Sequence, residues 1–132
     1  MSKQTMIQPQ EIEIFYIIPT LRKELAVSMK ESGLKQKDIA SLLHIEGATV
    51  SHYLNNKRGS KVEFSKEIKK EVRNSAKRIH DTVSMIREMQ KLLSLIRSSC
   101  ELCRIHKELE SNVPRDCTPE LVSCAVGETK HV

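Results

Sequence analysis

The sequence predicts an all-α protein: an N-terminal helix-turn-helix domain, then a long dimerisation helix, then a short cysteine-rich tail. Three observations predict it. Between Gln36 and Tyr53, apolar residues fall at Ile39, Leu43, Ile45, Val50 and Tyr53. This is the spacing of two short helices that close on each other across a tight turn, with small Ala40 where they would cross. From about Val62 to His106 there is neither Pro nor Gly, and Val72, Ile79, Ile86 and Leu93 recur every seven residues. All four cysteines lie between Cys100 and Cys124.

Each element follows in order. Residues 1–10 are polar and are expected to fray. From Glu11 to Ile18 the pattern is mixed and fits either a short strand or a helical turn. Pro19 suits the first turn of a helix, and Ile18, Leu21, Leu25 and Met29 keep helical spacing, so a first helix is expected over 19–31. Gly33 should end it, because glycine accepts the positive φ common just past a helix. A second helix is expected from Gln36 to Leu43, a turn from His44 to Glu46, a third helix from Gly47 to Leu54, and a turn from Asn55 to Gly59.

The stretch from Val62 to His106 reads as one long helix. Ala76, Val83, Met89 and Ile96 extend its apolar seam, and Ser75, Thr82 and Gln90 interrupt it. Such a stripe must be buried, against a second copy or back on the first helix. The second copy is favoured, because a helix-turn-helix usually needs two half-sites to bind tightly. Beyond His106 the helix should fray toward Asn112, and Pro114 and Pro119 break the chain. The expected divisions are 11–60 for the DNA-binding domain, 61–99 for the long helix, 100–124 for the cysteine segment and 125–132 for a disordered tail.

Charge is uneven. The chain carries a net +5. Leu21 to Arg78 holds 14 Lys and Arg against 7 Asp and Glu, and the remainder holds 8 against 10. A nucleic-acid surface needs that bias, since phosphate contacts supply most non-specific affinity, although a solvated lysine-rich face has the same composition. No apolar run approaches the roughly 20 residues that span a bilayer, and no signal peptide is visible, so no membrane partner and a cytoplasmic location are expected. Cysteines there are reduced thiols or metal ligands. No Gly-rich phosphate loop, paired catalytic carboxylates or Ser/His/Asp set appears, so an enzyme is not expected and no small-molecule substrate is evident. With two Phe, two Tyr and no Trp, a base-stacking platform for single strands is not expected either.

The residues from Leu34 to Gly59 resemble the Cro and lambda-repressor-like (xenobiotic-response-element type) regulators. Gln36 stands at the first position of the second helix, Ala40 at the packing position, and Val50-Ser51 with Leu54-Asn55-Asn56-Lys57-Arg58-Gly59 is similar to the family's ending. His44 departs from the pattern, since the family usually has Gly there; a His at that turn implies modest strain or a different turn. The opening Tyr16-Ile17-Ile18-Pro19-Thr20-Leu21-Arg22-Lys23-Glu24-Leu25-Ala26 and the cysteine-rich tail resemble a group of predicted archaeal transcriptional regulators.

The resemblance implies that the third helix enters the major groove of double-stranded DNA. Glu46, Gly47, Ala48, Ser51, His52 and Asn55 lie on or beside its outward face. Ser51 and Asn55 can donate and accept at base edges, and Ala48 can touch a thymine methyl. Gln36, Thr49, Lys57 and Arg58 would hold phosphates. The plainer readings are an ordinary turn at Asn55-Asn56 and a merely exposed His52.

Cys100 and Cys103 form a Cys-x-x-Cys, with Cys117 and Cys124 following and His106 three residues after Cys103. On a helix, positions 100, 103 and 106 share a face. Four cysteines at irregular spacing suit an iron–sulphur cluster, which would give a regulator a redox or iron input. Zinc is the alternative, although structural zinc sites usually repeat a tight Cys-x-x-Cys on both sides. Unligated thiols are the third reading. His106 would be a substitute ligand or an outer hydrogen-bond donor. The leading functional expectation is a homodimeric, sequence-specific DNA-binding regulator tuned by such a centre. The rivals are a zinc-stapled regulator without redox sensing and an antitoxin-like protein-interaction module.

Overall fold

The computed structural model describes residues 5–55 and 62–118. Among these residues it is helical, with no strand. The elements are α1 (Pro9–Ile12), a π-helical turn (Glu13–Ile17), α2 (Ile18–Glu31), α3 (Gln36–Leu43), α4 (Gly47–Asn55), α5 (Lys66–Arg78), α6 (Thr82–Ser98) and α7 (Glu101–Leu109).

The segment around Glu11 to Ile18, open between strand and helix in the sequence, is helical and runs into α2. The first helix therefore begins well before Pro19. Pro9 occupies its first turn, and the Gln8 amide donates to Glu11 Oε1 at 3.0 Å. Pro19 explains the π turn. A proline has no N–H for the carbonyl four residues back, and its ring crowds that carbonyl; one widened turn relieves both faults. Thr20 Oγ1 donates to the Tyr16 carbonyl at 2.7 Å within that turn. Buried Glu13 is held there by Arg97, whose Nε and Nη2 donate to its two oxygens at 2.7 and 3.2 Å.

Helix α2 is the hub. Its Leu21, Leu25, Ala26 and Met29 are buried, and it packs against α3, α4 and α5. It ends as the sequence requires. Gly33 has φ +98°, the Gly33 amide donates to the Lys30 carbonyl at 3.0 Å, and the Leu34 amide donates to the Met29 carbonyl at 3.1 Å. This pair of bonds is a Schellman motif.

The expected single helix over Val62 to His106 is corrected. It is three helices, α5, α6 and α7. The first break is made by a cap rather than by Pro or Gly. Ile79 turns extended, and Asp81 Oδ1 accepts from the Ser84 amide at 2.8 Å while Ser84 Oγ accepts from the Asp81 amide at 3.0 Å. That reciprocal box starts a new helix. The Ser84 hydroxyl, which donates to Asp81 Oδ1 at 2.6 Å, and then the Ser84 amide hold the Asp81 carboxyl below its ordinary pKa. At the second break Cys100 takes φ +67°.

The seam is corrected with it. α5 folds back on α2 and α6 packs on α5, so Val72, Ala76, Ile79, Met89, Leu93 and Ile96 are buried within one chain. Of the positions assigned to a dimer seam, Val83 and Ile86 stay exposed, at 66% and 57%.

The α5–α6 hairpin encloses one carboxylate. Glu88 is 1% exposed. Arg78 Nη1 and Lys91 Nζ each donate to it at 3.3 Å. Burial works against its charge, but hydrogen bonds from Ser75, Lys91 and Arg78 outweigh burial and hold its pKa below the ordinary value.

Residues 5–10 are not frayed. The Met6 amide donates to Glu110 Oε1 at 2.8 Å, and His106 Nε2 meets the Met6 carbonyl at 2.7 Å, so the N-terminal segment is clasped to α7. Residues 1–4 lie outside the described residues. α7 also ties down the linker before α5. Glu101 Oε2 accepts from the Ser65 amide at 2.8 Å and from Arg104 at 2.7 Å, and Arg104 donates to the Glu63 carbonyl at 2.8 Å. Among the described residues, no helix is long and apolar enough to cross a membrane.

Candidate nucleic-acid interface and cysteine cluster

Helices α3 and α4 pack on each other and both rest on α2. Ile39, Leu43 and Val50 are buried between them, with Ala40, Ile45, Tyr53 and Leu54 partly buried around that core. The turn that joins them repeats the device at the end of α2. His44 has φ 57° and ψ 45°, its amide donates to the Ser41 carbonyl at 3.3 Å, and the Ile45 amide donates to the Ala40 carbonyl at 3.1 Å. Of the two outcomes open at His44, strain or a different turn, the backbone takes the first: a left-handed conformation on a residue that carries a Cβ, where glycine would sit without steric penalty. A second contact offsets it. His44 Nε2 lies 3.0 Å from Thr82 Oγ1, joining the turn to the start of α6.

The residues expected to face DNA fall as follows. Glu46, Gly47, Ala48, His52 and Asn55 are exposed, and Thr49 and Ser51 are half-buried on the same helix. Asn55 Nδ2 donates to Ser51 Oγ at 3.3 Å, so these two polar groups stand paired on successive turns of α4. Gln36 is exposed at the start of α3, and its side-chain Nε2 donates to the Gly47 carbonyl at 3.1 Å. That bond pins the two helix starts together, a local task the sequence did not reveal. A Cβ built on Gly47 would meet nothing within 4 Å, so no described neighbour requires a glycine there. Lys35 and Lys37 are exposed beside Gln36. Lys57 and Arg58 lie outside the described residues.

The three described cysteines share a hollow beside α7. Cys100, Cys103 and Cys117 line a cavity of about 380 Å³ together with Arg104 and Lys107. Cys103 and Cys117 are buried and Cys100 is exposed. Through residue 118 the segment after α7 folds back on that helix, held by Arg115. Arg115 donates to the Lys107 carbonyl at 2.9 Å and to the Val113 carbonyl at 2.8 Å, and Lys107 Nζ donates to the Arg115 carbonyl at 3.1 Å. Cys124 lies outside the described residues. Among the described residues, no three His, Cys, Asp or Glu side chains converge closely enough to hold a metal ion. The Cys-x-x-Cys is not spread along one helical face either, because Cys100 sits at the left-handed start of α7 rather than within it. His106 uses its Nε2 on Met6, which gives it a structural task at the N-terminus.

No family model matches this chain, and neither a curated protein nor a solved structure matches it.

Proposed function

We propose that the chain is a sequence-specific binder of double-stranded DNA, with α3 and α4 as the helix-turn-helix and α4 as the helix that enters the major groove. One observation carries the reading. α3 and α4 close their own apolar core through Ile39, Leu43 and Val50, while the opposite side of α4 stays polar and open along Gly47, Ala48, Ser51, His52 and Asn55. A polar outer face is ordinary for a surface helix; what suits this one to DNA is that it carries small Gly47 and Ala48 beside the paired hydrogen-bonding side chains of Ser51 and Asn55. In this reading Ser51 and Asn55 address base edges and Ala48 a thymine methyl. Gln36, Thr49, Lys57 and Arg58 set register on the phosphates, helped by Lys35 and Lys37. The absence of any internal need for Gly47 supports it, since a bare backbone lets an outside surface approach.

Two half-sites imply two copies, and exposed Val83 is the seam position available for that contact, since Ile86 lines a groove between α2, α3 and α6. The iron–sulphur centre, or zinc as its alternative, belongs to Cys100, Cys103, Cys117 and Cys124. As three of them stand, they line a hollow without forming a ligand set, so no part of the DNA mechanism passes through a metal. A protein-interaction module is the second reading, favoured by exposed Ile14 and Phe15 at 60% and 63%. Enrichment of one sequence from a random duplex pool by the purified chain tests the first reading; binding that never enriches a sequence favours the second.

A further inference from the structure

A groove of about 390 Å³ opens between α2, the end of α3 and α6. Ile18, Leu43, Met85, Met89 and Leu93 make its walls. Arg22 is the one permanently charged residue in the lining, and no carboxylate lines it among the described residues. The Arg22 Nε is buried and has no hydrogen-bond partner among the described residues. That atom is closed to solvent and does not itself reach a groove ligand; the rest of the half-buried Arg22 side chain supplies the positive charge at the wall. Pockets of this size with apolar walls and one placed polar group suit a small molecule, the polar group fixing its orientation.

We infer that this groove binds a small aliphatic carboxylate. The carboxylate accepts hydrogen bonds from Arg22, and its chain lies along Leu43, Met85 and Met89. The charge complementarity selects an acid over an alcohol or an amine of the same length, because a charge-assisted bond to a guanidinium is the stronger kind. The groove also touches the turn that orients α4. Its rim is His44 and Thr82, the two residues that join the α3–α4 turn to α6. Occupancy is thereby coupled to the setting of α4; this coupling rests on the DNA-binding reading, and the carboxylate site does not.

The test uses the full chain with 13C-labelled methionine methyls and octanoate as the probe, with octanol and octylamine as comparators. Octanoate should shift the Met85 and Met89 methyls saturably and leave Met29, which is buried elsewhere in the core, unmoved. Its affinity should exceed that of octanol by about tenfold or more. Arg22→Gln should reduce octanoate to the level of octanol without changing octanol, and Arg22→Lys should keep the preference for the acid. No saturable shift, equal binding of acid and alcohol, or an indifferent Arg22→Gln variant would overturn the site. So would Met85 and Met89 shifts that follow protein concentration alone, because a second copy would then fill the groove. DNA binding is scored separately. Octanoate should change DNA affinity by about fivefold or more. Saturated octanoate with unchanged DNA affinity overturns the coupling and spares the site. Octanoate binding by a chain that binds no DNA overturns the DNA reading and spares the site.

Discussion

The turn between α3 and α4 is the place where the structure can be priced residue by residue. His44 holds φ 57°. A left-handed residue with a Cβ costs roughly 1–2 kcal/mol, while glycine brings about 0.5–1 kcal/mol of extra backbone entropy to the unfolded chain. Replacing His44 by Gly should therefore gain about 0.5–1 kcal/mol from the backbone. It also deletes the contact to Thr82 Oγ1 at 3.0 Å. An exposed neutral hydrogen bond is worth about 0.5–1 kcal/mol. The two terms nearly cancel, so His44→Gly alone should leave stability within about 0.5 kcal/mol of wild type. In a Thr82→Ala background the bond is already gone, and the same change should stabilise by about 0.5–1 kcal/mol, roughly 4 °C in melting temperature for a domain of this size. The assay is a double-mutant cycle by urea unfolding followed by circular dichroism. The cycle also cancels the helix-propensity gain of alanine at position 82. A coupling energy near zero would remove the His44–Thr82 bond. Destabilisation by His44→Gly in both backgrounds would show that the turn is not left-handed.

Other outcomes follow from the same geometry. Gly47→Ala should raise stability by about 0.5–1 kcal/mol in urea unfolding, since nothing opposes a Cβ there, yet weaken DNA binding in a mobility shift; a gain in both measurements would mean that no backbone approaches Gly47. Glu88→Gln should cost about 1–2 kcal/mol at pH 7, less than a fully buried pair because Arg78 and Lys91 are half in solvent. The pKa of Glu88 is depressed in the folded chain, so its contribution is present above the unfolded carboxylate range near pH 4 and is lost as pH falls through the folded value; Asp81 and Glu110 are depressed in the same direction. Unfolding free energy should therefore fall below about pH 4, less steeply in Glu88→Gln, and identical pH profiles for variant and wild type would contradict the assignment. Ser51→Ala or Asn55→Ala should cost about 1–3 kcal/mol on a selected DNA site and little on random DNA, measured by competition; equal losses on both would remove them from base readout. Metal analysis of anaerobically purified protein tests the four-cysteine proposal: iron with sulphide, or zinc, that Cys103→Ser loses supports it, and metal-free wild type, or metal retained by that variant, overturns it.

The elements most legible in the sequence were those ruled by local chemistry. Gly33 announced the end of α2, because only a residue tolerant of positive φ closes a Schellman motif cheaply. The bounds of α3 and α4 followed from Ile39, Leu43 and Val50, and the strain at His44 followed from the missing glycine. The break at Asp81 is hidden in the sequence. Without Pro or Gly the stretch looked continuous, and the seven-residue recurrence of Val72, Ile79, Ile86 and Leu93 crossed the break undisturbed. A short helix, a tight corner and a second helix facing the same core give nearly the same spacing. The capping signal was present in Asp81-Thr82-Val83-Ser84, and it outranks an imperfect heptad pattern. Long-range polar contacts were not legible at all. The clasp of Met6 on Glu110 and His106, the Arg115 fold-back and the unpartnered Arg22 Nε depend on residues far apart in the chain, and no local pattern encodes them.

The central claim is that α4 reads DNA. Its most direct measurement is fluorescence anisotropy of the purified full chain on the duplex it selects from a random pool and on a scrambled duplex, each over a series of salt concentrations. The expected result is tighter binding to the selected duplex, by roughly a thousandfold or more, with affinity for both falling as salt rises. Lys57→Ala with Arg58→Ala should reduce the salt slope by about two phosphate contacts on both duplexes. Equal affinity for the two duplexes, or no binding at low salt, would contradict the account.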